Sequence, residues 1–172
     1  TPLYSSAASD VYKRQNASCG LKVFMGASTG DLLVDKYESL EKIFEHCPTN
    51  IVTHCEDPKR LVENENIFQE KYGDQLHAAH HAVIRDEECC YLSSSLAVGL
   101  AKRFGANLHV LHLSTKREMD LFEPGPIDNK KITAEGCVHH LTFSDKDYEE
   151  LGNFIVCNPS ICLLYTSPSP RD

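Results

Sequence analysis

The chain lacks several features that would assign it quickly to a functional class. None of its apolar runs approaches the ~20 residues needed to cross a bilayer. Basic residues are the minority, 17 against 25 acidic ones, which gives a formal net charge of −8. We therefore expect neither a membrane protein nor a nucleic-acid binder that neutralises phosphates. There is also no glycine-rich phosphate loop and no internal repeat. A content of 41% hydrophobic residues is instead typical of a soluble globular protein.

The eight cysteines do not have the spacing of a disulfide scaffold, because no CxxC pair and no small-knot pattern is present. No secretory signal is recognised either. Reduced thiols and a cytoplasmic location are therefore expected. The cysteines lie at positions 19, 47, 55, 89, 90, 137, 157 and 162.

The two ends differ from the interior, since both are serine-rich and neither offers an apolar stripe. Val11–Gln15 can be encoded by DNA whose reverse complement, read one base out of frame, encodes Cys162–Thr166. Both ends resemble translated transposase adapters of the kind used in library preparation. We therefore predict adapter-derived tails at 1–15 and 162–172, with the natural segment at 16–161.

Within the natural segment, short apolar runs alternate with longer amphipathic ones, which predicts parallel βα units. Gly26–Gly30 is predicted as a turn, and His77, His80 and His81 are predicted to be solvated in a polar connection. The predicted strands are 21–25, 51–54, 108–113 and 131–139, and the predicted helices are 37–47, 59–72, 87–104, 116–122 and 144–151.

Three ionisable residues lie on or at the ends of successive strands, namely Lys22, His54 and His112. Active sites of parallel α/β barrels form where the C-terminal strand ends gather. A lysine inside the apolar run LKVFM is costly unless it gains a partner or changes chemically. Carbamylation would turn it into an anion able to bridge two metal ions, and imidazoles on neighbouring strands suit Zn²⁺. A lone strand histidine is more often a hydrogen-bonded core residue.

The remaining histidines are weaker candidates. His109 and His112 are three residues apart, so on a regular strand they point to opposite faces, and His112 is favoured for the site. His139 and His140 are adjacent, so only one of them is expected to face inward. Cys89 and Cys90 are expected to be packing residues in a helix.

Six segments follow one another in a fixed order along the chain, namely GLKVFMGASTG, THCED, IRDEECCYLSSSLAVGLAKRFG, LHVLHLST, KKITAEGCVHHLTFSD and LGNFIVCNPSI. In this order they resemble bacterial dihydroorotases, members of the cyclic amidohydrolases. The resemblance covers essentially all of 16–161. It implies an α/β fold, a partial (β/α)8 TIM barrel of the metal-dependent amidohydrolase type that includes roughly strands 4–7.

The resemblance implies roles for four residues. Lys22 corresponds to the carbamylated lysine that bridges two zinc ions, His54 and His112 to the histidines of the second metal, and Asn158 to a residue that contacts the substrate ring. The implied reaction is the reversible cyclisation of N-carbamoyl-L-aspartate to L-dihydroorotate in pyrimidine biosynthesis, with a metal-activated hydroxide as nucleophile. The implied partner is a small-molecule substrate, and a homo-oligomeric parent is considered.

The chain also departs from the family pattern. The His-x-His pair of the first metal and the nearby substrate arginine are missing, and the aspartate that acts as general acid/base is expected beyond Ile161. A barrel of this type needs about 250 residues, so we expect an inactive fragment of a dihydroorotase.

Three other interpretations are kept open. One is a hydantoinase, dihydropyrimidinase or allantoinase with the same chemistry. Another is a non-catalytic dihydroorotase-like subunit that serves as a scaffold for a transcarbamoylase. The third is an α/β domain with incidental histidines.

Overall fold

The computed structural model describes residues 19–26 and 32–162. The predicted tail 1–15 lies outside the described residues, as do all but the first residue of the tail 162–172 and all but Gly26 of the predicted turn. Within the described part, no helix combines the length and the apolar character needed to span a bilayer.

The described part contains one four-stranded parallel sheet whose strand order follows the chain. Its strands are β1 (Leu21–Phe24), β2 (Ile51–His54), β3 (Leu108–Leu113) and β4 (Ile132–Gly136). Pairing is in register at the N-terminal ends, where Leu21 lies opposite Ile51, Ile51 opposite Leu108 and Leu108 opposite Ile132. The C-terminal ends therefore lie side by side. This confirms the expected parallel βα arrangement and the α/β class of a partial barrel.

Seven α-helices connect or follow the strands in the described part. Short 3-10 turns lie at Gly73–Gln75, Asp145–Asp147 and Gly152–Ile155. The helices are α1 (Tyr37–His46), α2 (Pro58–Tyr72), α3 (Ala78–Ile84), α4 (Glu87–Phe104), α5 (Lys116–Met119), α6 (Val138–Thr142) and α7 (Tyr148–Leu151).

The main hydrophobic core lies between one face of the sheet and helices α1 and α4. Alternate strand residues supply the sheet side of this core, because successive side chains of a strand point to opposite faces. The residues between them point to the other face, which is the inner face of the barrel. The core-facing set includes Val23, Met25, Leu40, Phe44, Ile51, Cys55, Ala97, Val98, Leu108 and Val110.

Helix α4 has the bounds that its sequence predicts, because both ends carry stop signals. The carboxylate of Asp86 accepts a hydrogen bond from the backbone N–H of Cys89 at 3.0 Å, which caps the first turn. Gly105 ends the helix with φ +67°, a left-handed conformation that suits glycine. Cys89 and Cys90 are fully buried, as expected of packing residues.

Three predicted elements are wrong in part. The strand predicted at 131–139 ends at Gly136, and the following residues form α6, since Cys137 begins a helical turn. The polar connection contains helix α3, and His81 within it is held by the carbonyl oxygen of Cys157 at 2.8 Å. The helix predicted at 116–122 ends at Met119.

Strand β3 contains a bulge just before its end. Val110 pairs with Ala134 and Leu113 pairs with Gly136, so three steps along β3 match two along β4. His112 takes up the extra residue with φ +41°. Because the extra residue shifts the alternation, Val110 and Leu113 both contact the main core. Two residues that are three apart across the bulge thus face the same side of the sheet, although strict alternation would place them on opposite sides.

The chain between α6 and Cys162 is anchored by a second, smaller core. Ile161 is buried with Ala82, Tyr148 and Ile155. Cys162, assigned to the predicted tail, is partly buried, and its Sγ lies 3.1 Å from the hydroxyl of Ser160. The domain boundaries at 16 and 161 stay predictions.

Candidate metal centre

Two histidines meet at the C-terminal ends of β2 and β3. Nδ1 of His54 lies 3.2 Å from Nε2 of His112, and the two rings pack edge to face. His54 is only 5% exposed. The bulge in β3 brings His112 to the inner face, where His54 also lies beside the ring of Phe24. The structure therefore brings together two of the three residues predicted to bind metal.

A buried ion pair fixes the ring of His54. Its Nε2 lies 2.7 Å from Oε2 of Glu56, a residue that is 0% exposed. Arg85 donates to both oxygens of the same carboxylate at 2.8 and 2.7 Å. Burial alone would raise the pKa of Glu56, but the hydrogen bond from His54 and the charge of Arg85 outweigh burial and lower it. Glu56 is therefore an anion that accepts the Nε2–H proton, which leaves the lone pair of His54 on Nδ1 when the ring is neutral.

His112 is a neutral imidazole at physiological pH. Burial, together with the nearby His54 and Lys22, lowers its pKa to about 4. Its Nδ1 is buried and has no hydrogen-bond partner among the described residues. A neutral ring whose Nε2 faces another nitrogen is the form in which histidine binds a metal ion.

Lys22 lies on the same face of the sheet but contacts neither histidine directly. In the register of the sheet it lies opposite Val52, two residues before His54. Its Nζ is 4.9 Å from the ring centroid of Phe24. Desolvation lowers the pKa of Lys22, and the charges of Cys55 and Glu135 oppose that shift. Lys22 also lowers the pKa of His112, so the two residues share one electrostatic environment.

Asn158, the predicted substrate contact, is exposed and lies in a well-held segment. The carbonyl oxygen of Pro159 lies 3.0 Å from Nε2 of His140, and the hydroxyl of Ser160 donates to the carbonyl oxygen of Arg85 at 2.7 Å. The structure does not bring Asn158 into hydrogen-bond contact with the two histidines.

The predicted orientation of His109 is wrong. Its Nδ1 lies 2.9 Å from the hydroxyl of Thr133 and its Nε2 lies 3.3 Å from Oε2 of Glu135. The strand neighbours of these partners, Ile132 and Ala134, contact the main core. His109 therefore lies on the inner face, like His112, because the bulge between them removes the expected alternation.

Sequence reasoning missed Glu56 and Arg85. Both lie in segments that carry the family resemblance, THCED and IRDEECC. A useful signal was the glutamate two residues after a strand-end histidine, since i and i+2 point to the same side of an extended chain. The pairing with Arg85, 29 residues further on, has no local signal.

Comparisons with known proteins find similar sequences and similar folds. No family model matches the chain. The dihydroorotase of Methanosarcina mazei is 28% identical over 148 residues, covering 81% of this chain and 32% of that protein. The allantoinase of Streptomyces avermitilis is 30% identical over 111 residues, covering 64% of this chain and 24% of that protein. In fold, the L-hydantoinase (dihydropyrimidinase) of Arthrobacter aurescens superposes with a TM-score of 0.76 at 19% identity, over 95% of this chain and 36% of the other. The chain is thus similar in sequence to dihydroorotases and allantoinases, and similar in fold to a hydantoinase.

The chain spans about a quarter to a third of the length of these cyclic amidohydrolases. Its fold matches part of their barrels, which agrees with the four parallel strands described above. Because the resemblance of the sequence implies a metal centre, the donor atoms of this chain can be tested against what a metal ion requires.

The histidine pair fits a zinc ion. In tetrahedral zinc sites with Zn–N distances of about 2.0–2.1 Å, neighbouring nitrogens are about 3.3 Å apart, close to the 3.2 Å between His54 and His112. One ring is oriented by a carboxylate, as in most zinc sites with histidine ligands. The unpartnered Nδ1 of His112 shows that hydrogen bonds among the described residues do not fully satisfy the pair.

Proposed function

We propose that this chain belongs to a zinc-dependent dihydroorotase, which interconverts N-carbamoyl-L-aspartate and L-dihydroorotate in the cytoplasm. The observation that carries the proposal is the 3.2 Å approach of His54 Nδ1 to His112 Nε2, backed by the buried Glu56–Arg85 pair. Together with the dihydroorotases among the sequence relatives, this supports a metal-assisted attack on a cyclic amide.

In this proposal His54 and His112 would hold one of two zinc ions, and carbamylated Lys22 would supply carboxylate-like oxygen ligands for zinc. Only a neutral amine reacts with carbon dioxide, so the lowered pKa of Lys22 favours that step. Bound zinc would activate a water molecule and polarise the amide carbonyl. Glu56 keeps His54 in the tautomer that offers Nδ1, and Arg85 keeps Glu56 ionised. Asn158 would contact the substrate ring.

An allantoinase is the second candidate, because allantoinases match the chain about as well as dihydroorotases do. The allantoinase of Bacillus velezensis is 27% identical over 152 residues, against 29% over 153 residues for the dihydroorotase of Methanosarcina acetivorans. Both activities use the same class of centre, so the substrate distinguishes them.

The test uses two proteins, the 172-residue chain and an extended version in which the predicted tails 1–15 and 162–172 are replaced by the flanking sequence of its gene. Each is assayed with zinc against N-carbamoyl-L-aspartate, L-dihydroorotate, allantoin and a hydantoin. We expect the extended protein to turn over the first two substrates, and the present chain, which offers Lys22, His54 and His112 but no His-x-His pair, to be inactive. In the extended protein, His54→Asn, His112→Asn and Lys22→Ala should each lower kcat/KM by at least about 100-fold.

His77→Asn is the matched control, because His77 is an exposed residue at the N-cap of α3 and should leave kcat/KM unchanged. Turnover of allantoin alone would mean that the extended protein is an allantoinase rather than a dihydroorotase. Full activity in Lys22→Ala would reject the bridging lysine, and absence of any turnover in the extended protein would favour a scaffold subunit.

A further inference from the structure

A second group of side chains that could bind a metal ion lies where β4 passes into α6. Cys137, His139 and His140 each offer one donor atom, and these atoms lie within 4.8 Å of one another. Cys137 is the residue before the first turn of α6, and both histidines follow within that turn. The rings of His139 and His140 are 4.3 Å apart between centroids. The helical turn thus gathers three donors that an extended strand would have separated.

The buried histidine of this group has its tautomer fixed by a backbone carbonyl. His140 is only 9% exposed, and its Nε2 lies 3.0 Å from the carbonyl oxygen of Pro159. A carbonyl only accepts hydrogen bonds, so Nε2 carries the proton and Nδ1 carries the lone pair. Nδ1 is buried and has no hydrogen-bond partner among the described residues. Histidine ligands of metal ions characteristically donate their other N–H to a backbone carbonyl in this way.

We propose that Cys137, His139 and His140 form a zinc-type metal site separate from the centre at His54 and His112. A thiolate and two imidazoles are the donor set of borderline-soft ions such as Zn²⁺ and Co²⁺. The fourth position is left to solvent or to an exogenous ligand, since His139 is exposed. The proposal does not depend on the proposed enzymatic function.

The neighbouring Cys157 does not belong to this site. Its Sγ donates to the carbonyl oxygen of Pro159 at 3.3 Å and lies 3.9 Å from Nε2 of His140. It therefore occupies the side of the ring opposite Nδ1. Its thiol is a close control for Cys137, because both lie near the same histidine and only one is a proposed ligand.

A metal ion here would fix the end of β4 to the segment that carries Asn158. Coordination orders the ring of His140, and the ring is bonded to Pro159, the residue after Asn158. The site is thus structural in character, and its expected effect is to hold the segment 157–161 against α6.

The test is a titration of the full chain with Co²⁺, because a thiolate ligand gives a near-ultraviolet thiolate-to-cobalt charge-transfer band that imidazole ligands do not. We expect the band in the unmodified chain and in Cys157→Ser and Cys47→Ser, and its loss in Cys137→Ser. The band should persist in the double variant His54→Asn/His112→Asn, which separates this site from the proposed catalytic centre.

A second variant keeps the proposal falsifiable if Cys137→Ser does not fold by circular dichroism. His139→Asn changes an exposed side chain, and it should weaken cobalt binding at least about tenfold. The proposal is wrong if the unmodified chain gives no charge-transfer band, if Cys137→Ser keeps the band, or if His139→Asn binds cobalt with unchanged affinity.

Discussion

Arg85 donates from one nitrogen to both carboxylate oxygens of Glu56, and Glu56 has no exposed surface. An anion in such a place is stable only because its partners compensate for the lost solvation. The first prediction follows from this pair.

Arg85→Met should destabilise the protein by about 3–5 kcal/mol, since it leaves a buried carboxylate without its cation. Urea unfolding followed by circular dichroism measures the change. Arg103→Met is the matched control, because Arg103 pairs with Glu41 at the surface, where an ion pair contributes about 0–1 kcal/mol. Equal effects of the two substitutions would mean that Glu56 is solvated in solution.

Gly26→Ala should also be destabilising. A Cβ at this position would lie 1.9 Å from the carbonyl oxygen of Glu56, so the backbone beside the histidine pair must shift, at about 1–3 kcal/mol. Gly99→Ala should have the opposite sign. Gly99 lies within α4 with open space around it, and alanine in an exposed helix is favoured by about 1 kcal/mol. Thermal unfolding of both variants measures the two changes in stability. An unchanged stability in Gly26→Ala would contradict the close approach of Gly26 to the carbonyl oxygen of Glu56.

The buried carboxyl of Glu118 should make stability depend on pH. Burial raises its pKa above the ordinary value of 4.5, although Ser94 and Thr115 donate to it. The folded state therefore holds this proton more strongly than the unfolded state. The stability that it contributes is complete below pH 4.5 and is lost as the pH rises through the folded pKa.

Glu118→Gln should remove this dependence. The difference in unfolding free energy between the unmodified chain and Glu118→Gln should therefore fall as the pH rises from 4.5. Glu123→Gln, at an exposed position, is the matched control over the same range. A difference that rises with pH would mean that the folded state favours the ionised form of Glu118, which contradicts the raised pKa.

Zinc should stabilise the protein through His54 and His112 even when the proposed site at Cys137, His139 and His140 is disrupted. In a Cys137→Ser background, zinc at about 100 times its dissociation constant should add about 2.7 kcal/mol. Adding His112→Asn should abolish the gain, and asparagine is chosen because it tolerates the positive φ at this position. His109→Asn, on the same face, should keep the gain. Calorimetry with and without a chelator measures the effect, and retention in His112→Asn would reject the pair as ligands.

The elements predicted from sequence were those with local signals at both ends. Helix α4 lies between the capping Asp86 and Gly105, and β3 has the predicted bounds because its apolar run is short and flanked by polar residues. The alternation of strands and helices predicted the parallel sheet. The position of His54 and His112 at the C-terminal ends of neighbouring strands was therefore also predictable.

The features that sequence did not reveal depend on contacts between distant segments. The bulge at His112 appears only when β3 is paired with β4, and it reverses the predicted orientation of His109. The ion pair of Glu56 with Arg85 joins residues that are 29 positions apart, and no helix or strand periodicity predicts that contact. The turn that gathers Cys137 with His139 follows a strand pattern in sequence, yet it is helical in the structure.

The bulge in β3 also makes this strand unusually sensitive to a change in length. If one residue of 111–112 were deleted, the pairing with β4 would become regular while Leu113 kept its place in the core. The strand would then offer the inner face one side chain fewer. If the deleted residue is His112, β3 keeps His109 on its inner face, loses the bulge and leaves the composition of the hydrophobic core intact, whereas a substitution such as His112→Asn removes the imidazole but keeps the bulge.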